Sequence, residues 1–93
     1  MRIVNVTTDV TEVAPNATKT ERKWITIQNT SDADIAVCYD GPTTTLTVDN
    51  GVILKPGVIL SLTSTEDTEE GSNQVLAIHG STGNKVLRVQ EGA

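Results

Sequence analysis

The chain has 93 residues, a mass of 9.9 kDa and a formal charge of −5. That is one small domain with a thin stability margin and a single cysteine, Cys38, so no disulfide supports it. The acidic balance argues against nucleic-acid binding, no apolar run is long enough for a membrane-spanning helix, and one Cys with one His is too few for a zinc site.

The composition points to strands. There are 15 Thr and 11 Val, residues stiff at χ1 and suited to a pleated surface. Arg2 to Thr8 alternates and reads as a strand or an extended arm, broken by Val13-Ala14-Pro15-Asn16. Residues 1–18 are therefore separated from a sandwich domain at 19–93. Glu21 to Asn29 is the clearest strand, with Ile25 and Ile27 on one face and Trp24, Thr26 and Gln28 on the other. After the turn Asn29-Thr30-Ser31-Asp32, Asp34 to Asp40 carries Ile35 and Val37 on one face, and the two segments read as a hairpin.

Asp40-Gly41-Pro42 closes that strand. Thr44 to Val48 and Val52 to Leu54 flank Asp49-Asn50-Gly51, an Asn-Gly hairpin signal. Lys55-Pro56-Gly57-Val58 suits a type II turn, leading into Val58 to Thr63 with Val58, Leu60 and Leu62 facing the core. Ser64 to Asn73 has no apolar residue and reads as a solvated loop; its carboxylates Glu66, Asp67, Glu69 and Glu70 lack the spacing of a calcium loop. Gln74 to His79 and Lys85 to Gln90 are the last strands, joined by Gly80-Ser81-Thr82-Gly83-Asn84 as a hairpin loop. The expected fold is all-β: a single antiparallel β-sandwich, jelly-roll or immunoglobulin-like, of seven or eight short strands.

The inward set expected from alternation is Ile25, Ile27, Ile35, Val37, Leu46, Val48, Leu54, Val58, Leu60, Leu62, Leu76, Ile78, Leu87 and Val89. Trp24, Ile53, Ile59, Val75 and Val86 are left outside. Of these, Trp24, Ile53 and Ile59 are the candidates for a subunit interface, Trp because it is enriched at interface centres. Arg2, Val4, Val6, Val10 and Val13 in the N-terminal segment are candidates for contact with a larger assembly by strand addition.

No catalytic constellation emerges. His79 is an ordinary strand-end histidine, and Cys38 and Asp40 are not assembled with it by spacing. The sequons at Asn5, Asn16 and Asn29 are accidents of a Thr-rich chain without a secretory signal. Two aromatics, Trp24 and Tyr39, argue against a carbohydrate-binding module. No cofactor is expected.

Six segments together resemble a known group. They are Trp24-Ile25-Thr26-Ile27-Gln28-Asn29-Thr30-Ser31, Ala33-Asp34-Ile35-Ala36-Val37, Gly51-Val52-Ile53-Leu54-Lys55-Pro56-Gly57, Leu60-Ser61-Leu62, Ala77-Ile78-His79-Gly80-Ser81 and Val86-Leu87-Arg88-Val89. In strand spacing and turn residues, residues 22–91 resemble small β-sandwich virion proteins of tailed bacteriophages. The resemblance implies a non-enzymatic structural protein at the virion surface, assembled in the host cytoplasm. It implies a capsid decoration or cement protein bound to the major capsid protein lattice as a homo-oligomer, with a trimer favoured. A head-to-tail connector or tail component is the neighbouring expectation.

Overall fold

The computed structural model describes residues 1–39, 45–65 and 68–93. Among these it has eight strands and no helix: β1 (Arg2–Val6), β2 (Thr11–Ala14), β3 (Trp24–Asn29), β4 (Ile35–Cys38), β5 (Val52–Leu54), β6 (Ile59–Thr63), β7 (Val75–Ile78) and β8 (Lys85–Gly92). They form two four-stranded sheets. Sheet 1 has the order β1-β8-β3-β6 and sheet 2 the order β2-β7-β4-β5, every pair antiparallel. β1 pairs with β8, β2 with β7, β3 with β6 and β4 with β5. This is a long antiparallel ribbon wound on itself, the jelly roll of two Greek keys, and the immunoglobulin alternative falls away.

The winding corrects three hairpins expected from the sequence. β3 and β4 do not pair: the turn at Asn29–Asp32 carries the chain from sheet 1 to sheet 2. The loop after His79 likewise crosses from β7 to β8 in the other sheet. Residues 45–48 are not a strand, and β5 pairs with β4 instead. The Asn50-Gly51 signal is nevertheless a real turn: Asn50 Oδ1 accepts from the Thr47 N–H at 2.8 Å, and Gly51 sits at φ +83°. The Lys55–Val58 turn has the expected geometry, with Gly57 at φ +87° and the Val58 N–H donating to the Lys55 carbonyl at 3.0 Å. The expected closure at Asp40-Gly41-Pro42 lies outside the described residues, as do Thr44, Glu66 and Asp67.

One core fills the space between the sheets. Sheet 1 supplies Val6, Ile25, Ile27, Leu62, Leu87 and Val89; sheet 2 supplies Val13, Ala14, Ile35, Val37, Leu54, Val75 and Ala77. Val75 therefore points in, and Leu76 and Ile78 point out, opposite to the expected register of β7. A run that is apolar at four consecutive positions carries no parity signal of its own. Leu76 and Ile78 are still half-buried, because Leu46 folds over the outer face of sheet 2 and packs with Ala36 and Cys38. This second layer makes all four residues of β4 buried. Val48 and Val58, expected inside, are exposed: Val58 ends the tight turn before β6, and Val48 sits outside sheet 2.

The expected loop from Ser64 to Asn73 also differs. Ser64, Gly71 and Ser72 are buried because the segment folds over the buried side chain of Arg22. At the opposite end of the sandwich, Lys85 Nζ bonds Asp32 Oδ1 at 2.7 Å. That hydrogen bond, with the attraction of the ammonium, holds the Asp32 carboxyl below the ordinary carboxylate range. Asp32 is fully exposed, so the effect on stability is small, and its sign follows from the direction. It is present above the unfolded-state pKa and lost as pH falls through the lower folded-state value. Thermal melts of the wild type and Asp32→Asn should differ slightly at neutral pH and converge in acid below the usual carboxylate range.

Candidate interaction surfaces

The outer face of sheet 1 is built by parity. β3 turns Trp24, Thr26 and Gln28 outward; β6 turns Ile59, Ser61 and Thr63 outward; β8 adds Arg88 and Gln90, and β1 adds Ile3 and Asn5. Trp24 and Ile59 share this face but stand at its opposite ends, since Trp24 is opposite Thr63 and Gln28 is opposite Ile59. Ile59 is 57% exposed. A depression of about 270 Å³ lies beside Ile59, lined also by Met1, Thr26, Gln28, Arg88 and Gln90.

Trp24 is only 37% exposed because its indole lies against Gly92, its partner across β8. A Cβ at position 92 would stand 2.9 Å from Nε1 and 3.0 Å from Cε2 and Cζ2 of the ring. One side of the indole is thus seated on backbone, an aromatic covering a strand glycine. Gly92→Leu should lift the ring. Because Trp24 is the only tryptophan, the expected readout is a red shift of intrinsic fluorescence, with a loss of about 0.5–1 kcal/mol in stability.

Ile53 lies on the other sheet. It is 42% exposed and opposite Ala36. It borders a depression of about 320 Å³ on the outer face of sheet 2, floored by Ala36 and Ile78, walled by Val48, and rimmed by Asp34, His79 and Ser81. The three interface candidates thus fall on two opposite faces.

The N-terminal candidates are divided by the same alternation. β1 and β2 are the first strands of the two sheets. Val6 and Val13 are buried in the core and Val4 packs against it, so no partner reaches Val6 or Val13 in the folded chain. Val10, in the β1–β2 connection, is 48% exposed, and Ile3 rather than Val4 faces outward. Arg2 is engaged within the chain. It donates to the Val13 carbonyl at 2.6 Å and to Glu91 Oε1 at 3.0 Å.

Of three buried polar side chains, Arg22 was not singled out from the sequence, and Asn29 and His79 were read there only as a turn residue and an ordinary strand-end histidine. Arg22 donates to the carbonyls of Gly71 at 2.8 Å, Pro15 at 3.0 Å and Asn73 at 2.5 Å, and lies 3.7 Å from Glu91. Burial pulls its pKa below the ordinary value, an effect that Glu91 opposes and Arg2 reinforces. Asn29 satisfies all four of its amide positions. Nδ2 donates to the Ala33 and Leu54 carbonyls, and Oδ1 accepts from the Ser31 N–H and hydroxyl. Its burial also closes the third sequon to modification. His79 is buried, with Nδ1 accepting from the Ser81 N–H at 3.1 Å and Nε2 2.7 Å from the Gly83 carbonyl. Those contacts suit a neutral ring with its hydrogen on Nε2 and use both nitrogens for the loop. Cys38 is buried in the second apolar layer. Among the described residues no group of three or more His, Cys, Asp or Glu is placed to hold a metal ion.

No family model, curated protein or solved structure matches the chain. The outer face of sheet 2 carries an apolar patch around Ile53 and Val48, and the outer face of sheet 1 carries Trp24 and Ile59 apart from each other among polar side chains. Among the described residues no nucleophile and base are brought together.

Proposed function

We propose that the chain is a non-enzymatic virion structural protein that decorates a capsid, bound to the lattice of major capsid subunits and bridging neighbours there. The observation that carries the reading is the jelly-roll winding. That winding is shared by viral capsid domains, lectins and cupins, so the fold alone does not choose among them. The side chains favour the first. A lectin relies on open aromatic platforms, whereas Trp24 is seated on Gly92 and Tyr39 packs against the core. A metal-binding cupin needs several histidines, and the single His79 spends both nitrogens on its own loop. An apolar patch around Ile53 on one face, with Trp24 and Ile59 exposed on the other, suits a small protein that bridges large neighbours. By binding the assembled lattice in preference to free subunits, it would stabilise the particle by mass action.

The test is quantitative mass spectrometry of particles purified from cells that produce the chain. Copies in the hundreds support decoration, about six, twelve or a few dozen would make it a connector or tail component, and absence from the particle would overturn the reading.

A further inference from the structure

Three of the four sheet edges carry devices that discourage strand addition. β1 presents Arg2, held by Glu91. β2 has an irregular register between Glu12 and Ala14 and is followed by Pro15. β5 is three residues long and runs into Lys55-Pro56. β6 has none of these. From Val58 to Thr65 there is no charged residue and no proline, in a chain of net charge −5.

The hydrogen bonds fix which groups β6 leaves open. The Asn29 N–H donates to the Val58 carbonyl at 3.0 Å, and the Ser64 N–H to the Lys23 carbonyl at 2.7 Å. Hydrogen-bonded pairs alternate along an antiparallel ladder, so Val58, Leu60, Leu62 and Ser64 turn their backbone groups toward β3. Ile59, Ser61 and Thr63 turn theirs toward the free edge. Of these, the Thr63 carbonyl has a listener among the described residues, the Thr68 hydroxyl at 3.4 Å.

We propose that this edge pairs antiparallel with the β6 edge of a second copy, about a twofold axis at Ser61. The register is self-consistent. Ser61 meets the second copy's Ser61, exchanging two main-chain hydrogen bonds. Ile59 meets its Thr63, whose N–H donates to Ile59 while its carbonyl, already accepting from the Thr68 hydroxyl, has one lone pair left for the Ile59 N–H. Leu60 lies opposite the second copy's Leu62, so core-facing residues meet core-facing residues, and half-buried Leu60 gains cover. Slipping by one residue would set core-facing side chains against outward ones. The edge from Val58 to Thr65 carries no charge, so two copies of this acidic chain meet along it without like charges facing each other. The paired strands are short, so the interface is small and the dissociation constant is of roughly micromolar order. The inference stands on the edge chemistry and not on the virion reading. It gives a twofold pair where the phage resemblance implies a trimer.

The test is the solution mass from about 1 μM to about 1 mM, with amide exchange followed at Ile59 and Ser61. The mass should rise from one chain toward two, with those amides slowing in step. Ser61→Pro removes a donor unused within one copy, and Ile59→Lys adds a charge at each end of the pair. Each should raise the dissociation constant by at least about tenfold with the fold retained, as judged by circular dichroism. If Ser61→Pro fails to fold, Ile59→Lys alone carries the test. A single-chain mass throughout, a three-chain mass, or a dimer insensitive to the folded variants would overturn the proposal.

Discussion

Arg22→Met should lower stability by about 3–5 kcal/mol, the largest loss expected of any single substitution here. The guanidinium is buried and reaches three carbonyls on two separate loops, those of Pro15, Gly71 and Asn73, with Glu91 beside it. Methionine fills similar volume but donates nothing, leaving part-buried carbonyls without their charged donor and Glu91 with only Arg2. For a domain of this size, each kcal/mol corresponds to about 4–8 °C in melting temperature. The melt should therefore fall by more than about 12 °C, measured by circular dichroism. Arg22→Lys should recover little, because an ammonium cannot span three divergent carbonyls as the planar fork does. Equal stability of Arg22→Met and wild type would show that water replaces the guanidinium at no cost.

Asn29→Ala should cost about 2–4 kcal/mol by chemical denaturation. Asn29 is the hinge between the sheets. Its side chain ties Ala33 and Leu54 together, and its backbone carbonyl accepts the Gly57 N–H at 2.7 Å. One residue thus fastens the β3–β4 corner to the β5–β6 turn. Alanine leaves the Leu54 carbonyl and the Ser31 N–H without their partners. Asn29→Asp is the sharper control, since a carboxylate accepts from Ser31 but faces two carbonyls at positions where the amide donates. Asp should be at least as damaging as Ala at neutral pH. An Asp variant close to wild type would mean that the Oδ1 contacts matter and the Nδ2 contacts do not.

These two residues mark the limit of what the sequence revealed. Strand positions and turns were readable because they are local: Pro56-Gly57 sets its own dihedrals, and Ile25 and Ile27 alternate within one segment. Which strands pair is not local. β3 followed by a short turn and β4 looks like a hairpin until the side chain of Asn29 is seen redirecting the chain into the other sheet. Parity failed at β7 for a related reason. Val75, Leu76, Ala77 and Ile78 offer two apolar faces, and only the cover provided by Leu46 explains why the outward one is tolerated. The outward placement of Trp24, Ile53 and Ile59 was readable, while their division between opposite faces depends on the winding. Arg22 gave no local signal at all, since two of its three carbonyl partners lie about fifty positions away.

The central place of β8 has a kinetic consequence. β8 lies between β1 and β3, so sheet 1 has no continuous ladder until that strand is in hand. During synthesis β1 must wait, unpaired, until β8 has followed it out of the ribosome. Refolding should accordingly be slow for the size, on a timescale of about milliseconds to seconds set by closure of the longest loop. In that interval the exposed partner edges of β1 and β3 are the places where two unfinished chains would meet.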